Sequence, residues 1–288
     1  MNSYHTSVLL QETIDLLAIK KGGKYIDATL GGGGHTSEIL AKGGEVLGID
    51  QDQEAIDWVE KEIKDRLTLR KGNFKDIDTI AKQSGFERVA GIVFDLGISS
   101  HHIDTPERGF SFQSDALLDM RMDRELQVTA RDLLHVLSKK ELADLFFRLG
   151  EERFARRIAE KIVITRQAKP ITTTHELAEI VRKAVPGRQG KVHPATKVFQ
   201  ALRIAVNDEL YSLREALPKA LLLLAEKGRL VVISFHSLED RIVKNQFRDW
   251  EKQGFGIQLT KKPIIPSEDE IQANSRSRSA KLRVFENI

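Results

Sequence analysis

The 288-residue chain contains no cysteine. That absence excludes a disulfide framework, a thiolate zinc site, an iron–sulfur cluster and any reaction that proceeds through a cysteine nucleophile. Proline is scarce, with 7 residues against 20 glycines. With 41% hydrophobic and 30% charged residues, the balance is that of an ordinary globular protein, neither disordered nor fibrous. Long apolar runs are missing. The longest, Ala220 to Ala225, falls far short of the ~20 residues that cross a bilayer. Met1 to Leu10 offers neither a basic lead nor an apolar stretch of signal-peptide length. A cytoplasmic protein with no membrane association is the expectation. No sign of charge dominates either: 45 Lys and Arg against 42 Asp and Glu leave a formal +3, so charge arguments must be local.

What is present is an alternation of periods. A chain of this length has a prior of about two domains. Thr6 or Ser7 is placed to cap a first helix through Ile19, with Leu9, Leu10, Thr13, Leu16 and Leu17 on one face. Strand-like runs then appear at Lys24–Leu30, Gly44–Asp50, Leu67–Gly72 and Val89–Leu96, separated by helical patterns at Ser37–Lys42, Gln53–Arg66 and Phe74–Ser84. Four βα units in succession predict a parallel, doubly wound α/β sheet. After Asp95 the pattern becomes helical for about a hundred residues, at 130–137, 139–149, 151–167 and 175–185, with Thr173 and Glu176 at capping-box spacing. A long helical pattern over 195–226, a strand at 228–235, a helix at 238–250 and a strand at 281–285 complete the α/β part. The expected organisation is therefore a discontinuous α/β domain, 1–103 with 198–288, and an inserted helical domain over 104–197.

Gly31-Gly32-Gly33-Gly34-His35-Thr36 joins the first strand to a helix, where backbone N–H groups meet a ligand at the positive end of a helix dipole. A phosphate-cradling P-loop requires a lysine that Gly34-His35-Thr36 does not supply. A dinucleotide loop read from Gly31 has Thr36 in the place of its third glycine. S-adenosylmethionine fits better, with Asp27 before the glycines and Asp50 at the end of the second strand, an acid suited to a ribose diol. Asp50 alone does not separate a nicotinamide cofactor from a methyl donor, because both carry ribose hydroxyls. Phe74 is either a flat wall for adenine or a core residue, and Asp95 lies at the carboxyl end of the fourth strand, where such sheets bind ligands.

Longer segments carry a resemblance. They include YHTSVLL from Tyr4, YIDATLGGGGH from Tyr25, DLGISS from Asp95, ERGFSF from Glu107, LDMRMD from Leu118, HPATKVFQALRIAVNDEL from His193, ISFHSLEDR from Ile233 and RSAKLR from Arg278. In this order, over almost the whole chain, they resemble the MraW family of bacterial small-subunit ribosomal RNA methyltransferases. The resemblance implies a Rossmann-like class I S-adenosylmethionine-dependent methyltransferase fold with an inserted helical domain for substrate recognition. It implies methyl transfer from S-adenosyl-L-methionine to the exocyclic N4 of a decoding-centre cytidine in 16S ribosomal RNA, with S-adenosyl-L-homocysteine as product. The partner is then 16S rRNA in the small ribosomal subunit; a homodimer is left open. Carried over residue by residue, the cofactor contacts fall on Gly33, Gly34, His35, Asp50, Phe74, Asp95 and His102. The family's usual Pro-Gln stands here as His101-His102, and an imidazole still donates or accepts a hydrogen bond.

An exocyclic amine on cytosine is a weak nucleophile, so it needs positioning and a proton acceptor, and no covalent intermediate. Methylation at cytosine C5 generally uses a thiolate, which this chain lacks. Asp95 is the first candidate to hold the amine or take its proton; His236 and Glu239 are weaker ones, with loop orientation the competing role for His236. No group of His and carboxylates has the spacing of a metal site. For RNA, two acid-free stretches stand out: Arg182, Lys183, Arg188, Lys191, Lys197 and Arg203 between Glu179 and Asp208, and Arg276, Arg278, Lys281 and Arg283 between Glu270 and Glu286. Gly187–Gly190 suggests a mobile basic loop. A small-molecule or DNA methyltransferase, a nicotinamide-dependent oxidoreductase and a binding protein with a vestigial cofactor site are the competing readings.

Overall fold

The computed structural model describes residues 7–186 and 193–288. The chain divides into two compact units, one running to Ser99 and resuming over Leu210–Ile288, the other spanning Ser100–Glu209. In chain order the first unit holds α1 (Leu10–Leu17), β1 (Lys24–Asp27), α2 (Gly34–Ala41), β2 (Glu45–Asp50), α3 (Gln53–Glu62), β3 (Leu67–Lys71), α4 (Ile77–Gln83) and β4 (Val89–Asp95). The second unit holds α5 (Ser100–Asp104), α6 (Ala130–Val136), α7 (Lys139–Gly150), α8 (Ala155–Ala168), α9 (Thr174–Ala184) and α10 (Ala195–Asn207). The chain continues through α11 (Glu209–Leu223), β5 (Leu224–Ser234), α12 (Ser237–Gln253), β6 (Gly256–Gln258), α13 (Glu268–Ala273) and β7 (Lys281–Asn287).

Seven strands form one sheet in the order β3-β2-β1-β4-β5-β7-β6. Neighbours from β3 to β5 are parallel, and β7 runs antiparallel to both β5 and β6. The order reverses between β1 and β4, so a crevice opens there at the strand carboxyl ends. Alternate residues of each strand enter opposite cores. Ile26, Leu47, Ile49, Ile92, Phe94, Leu230 and Val232 pack with Ile77, Leu217, Val243 and Phe247 from α4, α11 and α12. Tyr25, Val46, Val93, Val231 and Ile233 pack instead with Ile14, Leu17, Ile39 and Leu40 from α1 and α2. Both faces of the sheet are covered, as parallel strands require.

Some boundaries move from their sequence expectation. The helical pattern over 195–226 is two helices, because Asp208 adopts φ 51° and ends α10. The apolar spacing is helical on both sides of it, so periodicity carries no sign of one left-handed residue. β5 then starts at Leu224, four residues before Gly228, and β6 has three residues, too few to alternate. The second unit extends over 100–209, beyond the limits 104 and 197 read from the pattern, and α10 runs unbroken through Lys197.

Capping boxes open three helices of the second unit, at Thr129 and Asp132, Ser138 and Glu141, and Thr173 and Glu176. The irregular chain before α6 is held by buried polar groups. Asn207 accepts from the Met122 N–H at 2.7 Å and donates to the Met120 carbonyl at 2.8 Å. Arg108, 2% exposed, donates to the Met122 carbonyl at 2.8 Å. Among the described residues, no helix is long and apolar enough to cross a membrane.

Candidate active site at the strand carboxyl ends

Asp27, the last residue of β1, is 1% exposed. Its carboxylate accepts the Thr36 hydroxyl at 2.7 Å and the Thr29 N–H at 3.3 Å. Burial pushes its pKa up, against the opposing pull of His35 and the Thr36 hydroxyl. Thr36 lies in the first turn of α2, so this bond ties the end of β1 to the helix start. Between them the turn needs glycine: Gly31 has φ 50° and Gly33, the N-cap, φ 76°, and a Cβ on Gly33 would sit 3.0 Å from a Val59 methyl. The helix therefore begins at Gly34, three residues earlier than expected, and its first amides face out of the glycine turn.

Asp50 ends β2 one strand away. Its two oxygens accept from the Gly31 N–H at 2.8 Å and the Asp52 N–H at 2.9 Å. These bonds lower its pKa, but burial outweighs them and leaves it at about 6. Asp52 in turn caps α3 by accepting from the Glu54 N–H at 3.1 Å. Beyond β3, Asn73 donates to Gln51 at 3.1 Å and accepts from the Lys75 N–H at 3.0 Å, fixing a short turn that presents Phe74. The half-buried Phe74 ring meets Phe94 edge-on, with centroids 5.6 Å apart at 79°.

Asp95 closes β4. Its N–H donates to the Thr29 hydroxyl at 2.6 Å, and Leu96 continues the ladder to the Ile233 carbonyl at 3.0 Å. One carboxylate oxygen stands 3.8 Å from His35 Nδ1, and the two side chains are 4% and 8% exposed. His35 Nε2 is buried with no hydrogen-bond partner, a polar atom that the protein itself leaves unanswered. The glycine turn, the acid that ends β2, the Phe74 ring and the unanswered imidazole nitrogen are groups whose chemistry suits a nucleoside cofactor bearing an amino-acid tail. In that fit, the amides of Gly33, Gly34 and His35 would hold the tail, Asp50 the ribose and Phe74 the adenine.

Six of the seven cofactor positions expected from sequence, Gly33, Gly34, His35, Asp50, Phe74 and Asp95, thus lie in one unit at the carboxyl ends of β1 to β4. The seventh, His102, belongs to the second unit, in α5, with its ring 5.0 Å from that of Phe110. His236 and Glu239 form the capping box of α12: Glu239 accepts from the Phe235 N–H at 2.8 Å, and His236 Nδ1 accepts from the Glu239 N–H at 3.4 Å. The other ring nitrogen, Nε2, lies 3.2 Å from a Glu239 oxygen. The S-x-x-E form of a capping box is familiar, but a histidine at its head is not, and H-S-L-E from His236 was the signal available.

Of the basic residues expected to meet RNA, Arg188 and Lys191 lie outside the described residues, as does the glycine-flanked loop 187–190. Arg182 is paired bidentately with Glu179 at 2.7 and 2.8 Å, and Lys197 donates to the Glu151 carbonyl at 2.9 Å. Lys183 is exposed on α9, and Arg276 and Arg278 are exposed in a 3₁₀ turn over Ser275–Ser279. Arg203 and Arg283 are bound internally, to Glu209 at 2.8 Å and Asp240 at 2.7 Å.

Fold and site together define a Rossmann-like, class I methyltransferase that uses S-adenosylmethionine. The chain belongs to the MraW methylase family, whose model matches residues 2–288. It is 47% identical over 308 residues to the ribosomal RNA small subunit methyltransferase H of Carboxydothermus hydrogenoformans, covering 100% of this chain and 99% of that protein. The proteins of the same name from Brevibacillus brevis and Fusobacterium nucleatum are 44% and 45% identical, covering 100% of this chain and 99% and 98% of theirs.

Proposed function

We propose that the protein methylates the exocyclic N4 of a decoding-centre cytidine in the 16S RNA of the small ribosomal subunit, in the cytoplasm. The names of the relatives support the ribosomal target, and the observation that carries the chemistry is the buried Asp95 carboxylate beside His35 at the switch point of the sheet. S-adenosylmethionine, when bound, supplies an electrophilic methyl carbon. Asp95 accepts a hydrogen bond from the cytosine amine, orients its nitrogen and receives the proton that leaves as the new C–N bond forms and the donor's S–CH3 bond breaks, leaving the neutral thioether. The ionised form of Asp50 holds the ribose. The absence of cysteine is consistent with attack by nitrogen, which needs no covalent adduct. The helical unit 100–209 is the substrate-recognition module, since the crevice of the sheet is taken up by cofactor.

The test is transfer of labelled methyl from S-adenosylmethionine to small ribosomal subunits that lack their native methylations, with large subunits as the control. Label entering small subunits alone is the expected result. Cofactor binding by calorimetry with no label on subunits or on naked rRNA would overturn the reading.

A further inference from the structure

The second unit carries a cationic groove that lies outside the two acid-free stretches of the sequence. It runs between α7 and α8, has a volume of about 470 Å³, and is lined by Lys139, Lys140, Ala143, Asp144, Arg156, Arg157 and Glu160. Spacings of three and four residues on each helix bring these side chains to one face. Lys139 donates to Glu160 at 2.6 Å, which neutralises one of the two carboxylates. Lys140, Arg156 and Arg157 form no ion pair among the described residues, and all three are exposed. The groove therefore faces solvent with three cations outside the Lys139–Glu160 pair, of which Arg157 also acts on Glu160, against Asp144. Its surroundings reinforce the sign: residues 138–169 hold nine basic and five acidic residues, an excess larger than the +3 of the whole chain. The positive end of the α7 dipole also lies at Lys139 and Lys140.

We propose that this groove binds the phosphate backbone of the ribosomal RNA substrate, with Lys140, Arg156 and Arg157 as its phosphate contacts. The inference rests on the rRNA reading above and adds a surface to it. Two arginines in a fork geometry and a lysine as a point charge suit phosphate oxygens. The seven groove residues include no aromatic ring for stacking a base, so the surface positions the substrate and does not read sequence.

The experiment measures binding of a fluorescently labelled 16S rRNA transcript by anisotropy across a salt titration. The variant Lys140→Gln, Arg156→Gln, Arg157→Gln should raise Kd about tenfold or more and flatten the log–log salt dependence by about 2 to 3. Arg156→Lys with Arg157→Lys keeps the charges and should retain the wild-type slope, which a merely structural role for the guanidinium groups would not require. Calorimetric affinity for S-adenosylmethionine and the melting temperature of the glutamine variant report whether it is folded; the three side chains are exposed, so both should match wild type. A folded glutamine variant with wild-type Kd and slope would overturn the proposal. So would polyglutamate binding that responds to the variant while RNA binding does not, which would mark an acidic protein as the partner. If wild type binds transcript with a steep slope but transfers no methyl, the functional reading falls and the groove stands. If wild type methylates subunits and the glutamine variant is indistinguishable, the groove alone falls.

Discussion

Asp50 shows how one side chain carries opposing demands. Two backbone N–H groups hold its carboxylate, yet burial raises its pKa from 3.8 to about 6. The folded cofactor-free protein then binds this proton more tightly than the unfolded chain does. Its contribution to stability is complete below about pH 4 and is lost as the pH rises through about 6, at no more than about 1.4 kcal/mol per pH unit. Thermal melts of the cofactor-free protein between these limits should show that fall, and Asp50→Asn should flatten it. S-adenosylmethionine affinity should run the other way, weakening below about pH 6 as the acceptor for ribose hydroxyls is protonated. Calorimetry of Asp50→Asn at neutral pH should give a Kd raised about tenfold, the scale of a charged hydrogen bond. Unchanged affinity would remove Asp50 from the ribose.

Among elements, α12 and the segment before α6 give the sharpest tests. If His236 serves as the head of a capping box, Asn should replace it with little loss, while His236→Ala should cost about 1 kcal/mol in thermal unfolding. Lost turnover in a stable His236→Asn protein would instead assign the ring to the chemistry. Asn207→Ala strands the buried Met122 N–H and Met120 carbonyl and should destabilise the full chain by about 2 to 4 kcal/mol in denaturant unfolding. Elements of this kind were legible where period and caps agreed. Thr173 with Glu176 gave a helix start, and the apolar runs Gly44–Asp50 and Val89–Leu96 gave two strands, the second ending one residue earlier, at Asp95. Other features left no local trace. A single left-handed Asp208 does not interrupt apolar spacing, and three residues of β6 gain their place only from pairing with β7. The α7–α8 groove was illegible for a related reason: Asp144 and Glu160 interrupt the basic residues along the chain, and only packing gathers Lys140, Arg156 and Arg157.

For the whole molecule, a sheet with a reversal of strand order brings Asp27, Asp50 and Asp95 to its strand ends, where the cofactor is proposed to bind, and an insertion after β4 supplies a separate helical unit. The weak net charge hides this division of labour, since carboxylates gather at the strand ends while cations gather on the helical unit. The proposed role of Asp95 is to prepare a cytosine amine for methyl transfer. Its most direct test digests small subunits after reaction and identifies the modified nucleoside by mass spectrometry, for wild type and for Asp95→Asn at saturating cofactor. N4-methylcytidine is expected with wild type, and a rate lower by about 100-fold or more with the variant, the scale of a lost general base. Methyl on carbon C5 or on another base, or undiminished N4 methylation by Asp95→Asn, would contradict it.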